Sequence, residues 1–144
     1  MSHAHATRAP IAVADRLGHG LVLLGAVGTC TLLYAVDPAA EGNPYPACPF
    51  RALTGMPCPG CGTLRATNRL LHGDVGAAFG YNALFILMVP IFVYILATSM
   101  AAVVGSERPR ISLPRWTGYA VLVTVLAFWV LRNIPVEPFT ALAP

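Results

Sequence analysis

Residues 82–104 read NALFILMVPIFVYILATSMAAVV, without one charged side chain. A helix of this length exceeds the roughly 20 apolar residues that cross a hydrocarbon layer about 30 Å thick, which makes it the strongest candidate membrane span in the chain. Pro90 in its middle removes one backbone hydrogen bond and predicts a kink. Working outward, residues 17–36 (LGHGLVLLGAVGTCTLLYAV) are also uncharged and stop at Asp37-Pro38. That stretch is longer than the apolar core of a signal peptide and lacks a well-placed small-x-small cleavage site, so it reads as a second span. Residues 116–134 form a third, shorter one, flanked by arginine on both sides.

The composition agrees with this reading. Of 144 residues, 56% are hydrophobic and 10% charged, whereas a soluble domain carries about 25% charged residues. The net charge of +3 comes from scattered arginines without a single lysine or a basic stripe, which excludes nucleic-acid binding as an expectation. Six acidic residues leave little for carboxylate chemistry. No Ser-His-Asp motif, phosphate loop or HExxH helix is present, and an enzyme is not expected.

Arginine placement sets the expected orientation, since short cytoplasmic loops are enriched in Lys and Arg. Arg8 and Arg16 precede the first span, and Arg108, Arg110 and Arg115 lie between the last two. The expectation is an all-α protein of a bacterial inner membrane with about three transmembrane helices. It has a disordered cytoplasmic tail (1–16), a span (17–36), an outward loop (37–81), a span (82–104), a cytoplasmic loop (105–115), a span (116–134) and an outward tail (135–144). Tyr34, Tyr81, Trp116, Tyr119 and Trp129 fall near span ends, as interfacial aromatics do.

The outward loop carries the distinctive chemistry. Residues 37–49 are rich in proline and glycine and favour a turn-rich connection. Residues 50–56 are too short and mixed to assign, and Pro57-Cys58-Pro59-Gly60-Cys61-Gly62 is a rigid turn with two thiols. Residues 63–72 (TLRATNRLLH) predict a short amphipathic helix, with Gly73 suited to its C-terminal cap and Asp74 to capping a following helix. Arg65, Arg69 and His72 would share one face of that helix, and Leu64, Asn68 and Leu71 another.

Cys48-Pro49, Gly55, Cys58-Pro59-Gly60-Cys61-Gly62, Arg65-Ala66, His72-Gly73-Asp74, Ala77-Ala78 and Asn82 together resemble the bacterial membrane family catalogued as domain of unknown function 2752. Arg132-Asn133-Ile134-Pro135 with Pro138-Phe139 is similar to that family's ending. The pattern departs at Thr63-Leu64-Arg65, where threonine would directly precede the arginine. The resemblance implies a multi-pass bacterial membrane protein, marks Gly62, Gly73, Asp74, Asn82, Arg132 and Pro135 as motif positions, and supplies no activity.

Three chemistries compete for the thiols. A disulfide from Cys48 to Cys58 or Cys61 would cross-link an outward cap. Cys48, Cys58, Cys61 and His72 would make a Cys₃His set of the kind that holds zinc, and Met56-Pro57-Cys58-Pro59-Gly60-Cys61 fits a copper-type MxCxxC pattern. Thiol redox chemistry is the third, with Cys61 activated by a helix N-terminus and Arg65. Cys30 lies alone in the first span.

Arg65, Arg69 and His72 are candidates for an anionic headgroup, against the simpler reading of interfacial side chains reaching water. Asp74 reads as a cap, and Arg132 as a partner for Asp74 or Glu137 or as a side chain reaching water. Gly18, Gly25 and Gly28 suit close helix packing. His19 reads as interfacial, and His3 and His5 carry no inference. The leading expectation is an accessory or structural membrane component whose cysteine-stabilised cap docks a membrane protein or a second copy. Thiol or metal handling is the alternative, and a lipid-binding or oligomeric pore module the third.

Overall fold

A computed structural model describes residues 13–106, 114–137 and 139. Arg8, Arg108, Arg110, His3, His5 and Pro138 lie outside the described residues. The described residues form six helices and no strand: α1 (Val13–Ala35), α2 (Pro49–Thr54), α3 (Thr63–Leu71), α4 (Val75–Tyr81), α5 (Ala83–Val104) and α6 (Thr117–Leu131). Two of them, α1 and α5, are long and apolar enough to cross a membrane.

α1 is already helical at Val13, so residues 13–16, expected in the tail, belong to the helix. Asp15 in its first turn faces the positive end of the helix dipole. The helix stops where Asp37-Pro38 cannot continue it. α5 begins one residue after Asn82, whose Oδ1 accepts the Phe85 N–H at 3.0 Å, and runs through Pro90 to Gly105, left-handed at φ 82°.

The third span is the main correction. α6 has 15 residues instead of the 19 expected, about 22 Å of rise, which falls short of the hydrocarbon thickness by itself. Its last turn tightens as Asn133 N donates to Val130 O and Ile134 N to Leu131 O, and Pro135 has no N–H to carry the ladder on.

The short elements follow from local signals. Pro49 sits at the first positions of α2, where its missing N–H costs nothing, and Gly55 closes that helix at φ 73°. After α3, Gly73 N donates to Leu70 O and Asp74 N to Arg69 O with Gly73 at φ 82°, a Schellman closure. Asp74 Oδ1 then accepts the Ala77 N–H at 2.9 Å and starts α4, as its capping role predicts.

α1 and α5 pack side by side, joined by a 3.2 Å contact of His19 Nδ1 with Ser99 Oγ. Arg16 lies against Gly105, and Leu33 at the other end of α1 meets α3, so the two long helices run antiparallel. The α3–α4 hairpin covers the end opposite Arg16. The close contacts are made by small residues, Ala66, Ala78 and Ala102, all fully buried. Large apolar side chains such as Leu21, Leu24, Val93, Leu122 and Val130 remain exposed, and no residue of α6 is buried.

The face of α3 expected to carry Leu64, Asn68 and Leu71 is divided between surface and interior. Leu64 and Leu71 stay exposed, while Ala66 and Asn68 are buried. Ala66 lets the backbone approach closely, and Asn68 Nδ2 donates to Leu33 O of α1 at 2.7 Å. Hydrogen bonding, more than apolar area, seats this short helix.

Candidate metal centre

The site is built from the turn between α2 and α3. Cys61 N donates to Cys58 O at 3.1 Å and Thr63 N to Gly60 O at 3.1 Å, so the Cys58–Cys61 segment folds back on itself. Gly62, at φ 88°, takes the left-handed conformation that then launches α3. Cys48 precedes α2 in extended backbone. The helix carries the chain away and Gly55 returns it, so that Cys48 faces the turn.

The result is convergence of three sulfurs. Cys48 Sγ lies 3.5 Å from Cys58 Sγ, and Cys58 Sγ 3.1 Å from Cys61 Sγ. All three lie within 4.8 Å of one another. Ligands on one ion at zinc–sulfur distances would stand about 3.8 to 4.0 Å apart. Small rotations would fit all three sulfurs around an ion. The three cysteines are free thiols in this structure, in contact without a bond between them.

The opposite side of the turn is held by carbonyl groups. Asn82 Nδ2 donates to Pro59 O at 3.0 Å, Cys61 O at 3.2 Å and Thr63 Oγ1 at 3.2 Å, while its Oδ1 caps α5. Arg132 Nη1 donates to Cys58 O at 3.1 Å, Pro59 O at 3.4 Å and Cys61 O at 3.2 Å. Asn133 Nδ2 donates to Pro57 O at 3.1 Å. The ring of Phe50 meets Trp129 edge-on at 5.8 Å. Donors from two distant elements therefore fix the backbone that presents the thiols.

Thiol acidity differs across the cluster. Burial, followed by a hydrogen bond with Cys58, pushes the Cys61 thiol up to about 11. The Arg51 N–H at the start of α2 and hydrogen bonds with Cys61 and Cys58 lower the Cys48 thiol. The lowered thiol is Cys48 and the raised one Cys61, the reverse of the acidified Cys61 expected. The Arg65 invoked there stands 6.0 Å from the Tyr81 ring.

His72 does not join the sulfurs. Its ring stacks on Tyr34 and its Nδ1 donates to Asn68 O at 2.8 Å, which replaces the Cys₃His set by three cysteines. Arg69 Nη2 bonds Asp37 Oδ2 at 3.0 Å, so its charge already has a carboxylate partner and it is a poor anion site. Arg132 neither reaches water nor turns towards Asp74; it is 2% exposed and points into the turn. Pro135 ends the turn after α6. Asn133 was missing from the expected set, although a polar Arg-Asn pair closing an apolar run is a visible signal.

No curated protein and no solved structure matches the chain. The matched family covers less than the motif resemblance implies, since it ends at residue 96 and leaves out the 132–139 ending. Residues 48–96, about a third of the chain, match the model of the family described as Protein of unknown function (DUF2752), the family that the cysteine motif resembles.

Proposed function

We propose that this chain is a multi-pass bacterial membrane protein that holds a thiophilic closed-shell metal ion, zinc or monovalent copper, between Cys48, Cys58 and Cys61. The observation that carries this reading is the convergence of three sulfurs within 4.8 Å on a backbone fixed by buried donors. Thiolates are the ligands such ions prefer. Three protein ligands leave a further position open, which suits an ion that is presented or passed on more than one locked into the fold.

The membrane part of the proposal is supported by α1 and α5, whose length and exposed apolar surface fit a hydrocarbon environment. Arg16 and Arg115 lie towards the end away from the thiols in chain order, consistent with a cytoplasmic side there and an outward thiol cluster. The role is one of binding and presentation, with no catalytic step assigned.

The test uses detergent-purified, reduced full chain titrated with Zn(II), Cd(II) or Cu(I), followed by native mass and by alkylation. One ion per chain with three thiols shielded is expected, and Cys58→Ser, which removes the central sulfur, should abolish binding. Full alkylation at saturating metal would overturn it outright, and a chain isolated two mass units light with two cysteines protected until reduction would overturn it in favour of a disulfide.

A further inference from the structure

Arg132 is a buried cation whose hydrogen bonds do not account for its charge. Nη1 is used on three carbonyl oxygens, while Nε and Nη2 have no hydrogen-bond partner among the described residues and the side chain is 2% exposed. The Phe128 ring, 5.0 Å from Cζ, offers only a quadrupole. A buried guanidinium left without an anion is costly. Its Nη1 holds the carbonyls of Cys58 and Cys61, residues whose thiols belong to the cluster. Of these groups, only the sulfurs can become negative.

We propose that Arg132 is the counter-charge of the metal–thiolate cluster: a positioning residue that stabilises the loaded site over the empty one. This rests on the reading of Cys48, Cys58 and Cys61 as an ion site. Loading forms three sulfur–metal bonds and releases the three thiol protons to solvent. Three thiolates around a monovalent or divalent ion carry a net charge of −2 or −1, and the guanidinium beside Cys58 and Cys61 offsets part of it. Without an ion the same guanidinium faces backbone carbonyls alone, with no cluster charge to offset. A residue that only staples the turn would act oppositely, stabilising the empty protein and leaving affinity alone.

The test compares Arg132→Gln, Arg132→Lys and Asn133→Ala in the full detergent-purified chain. Affinity is read by Cd(II) titration through the sulfur-to-metal absorption and by Cu(I) competition with a chromogenic chelator, and the melting temperature is taken without metal. Arg132→Gln should weaken both ions by about tenfold or more, the size that outer-shell partners of metal ligands carry. Its metal-free melting temperature should not fall in proportion. Arg132→Lys, which keeps the charge and loses the fork, should stay within a few-fold of the native chain, and Asn133→Ala, which removes a neutral donor to the same turn, should lose less affinity than Arg132→Gln.

Equal losses in Gln and Lys variants, or a loss in Asn133→Ala as large as in Arg132→Gln, would overturn the counter-charge role. If Arg132→Gln does not fold, the Lys and Asn133 arms decide by themselves. A native chain that binds neither ion sinks the metal reading itself, whereas a native chain that binds and a Gln variant that binds equally well sinks only this inference.

Discussion

The imidazole of His72 lies flat on the phenol ring of Tyr34, with centroids 4.5 Å apart and the planes 4° from parallel. The stack, together with the Nδ1 bond to Asn68 O, ties the end of α3 to the end of α1. His72→Gln should therefore lower the melting temperature and leave ion stoichiometry and affinity unchanged. Titrating that variant beside Cys48→Ser checks it, and lost stoichiometry in the histidine variant would return the imidazole to the ligand set.

The thiols should react in a fixed order. Lowered by the Arg51 N–H, Cys48 should be alkylated first near pH 8, and Cys61, held up to about 11 by burial, last. Peptide mapping after timed alkylation reads the order.

The same shift predicts a pH dependence of stability. Below the ordinary value of 9.0 the Cys61 thiol is protonated in folded and unfolded chains alike, so its contribution is fully present. Between 9.0 and about 11 the unfolded chain ionises first, and stability falls until the folded thiol ionises too. Metal-free melting curves across that window should fall more steeply for the native chain than for Cys61→Ala.

Asn82 serves two elements with one side chain. Replacing it by alanine removes the α5 cap, about 1 kcal/mol, and one of the two donors to the carbonyls of Pro59 and Cys61, which Arg132 still serves, about 1 kcal/mol more. Asn82→Asp keeps the cap but turns an acceptor towards those carbonyls. Both variants should melt earlier than the native chain, and an aspartate variant as stable as the native would show that the turn does not depend on this donor.

Neighbouring side chains on α3 should differ sharply. The Arg69–Asp37 pair is solvent-accessible, and Arg69→Ala should cost under about 1 kcal/mol. Asn68→Ala strands the buried Leu33 carbonyl and should cost about 1 to 3 kcal/mol. Unfolding of both variants in mixed micelles compares them directly.

The long helices are legible in the sequence because a bilayer-length apolar run needs no knowledge of its neighbours, and the caps at Gly73, Asp74 and Asn82 are legible because capping is local. α2 is six residues, too short for periodicity to mark, and its signals are Pro49 at its start and Gly55 at its end. The grouping of Cys48 with Cys58 and Cys61 is suggested by proximity along the chain. The true partners of His72 and Arg132 are not, since a ring 38 positions away in the sequence or a carbonyl 74 positions away leaves no local trace. The burial of Asn68 is hidden for a related reason: its side chain is spent on the backbone of another helix, which hydrophobic periodicity cannot register.

The separation of Arg132 from Cys58 by 74 positions also sets an order of events during synthesis. All three thiols leave the ribosome before the guanidinium and Asn133 exist. A nascent chain that has reached Val104 carries every sulfur and the Asn82 clamp, yet lacks the donors that seat α6 on the turn. Its cysteines are at their most exposed to oxidants and stray ions in that interval, and the arrival of α6 closes it.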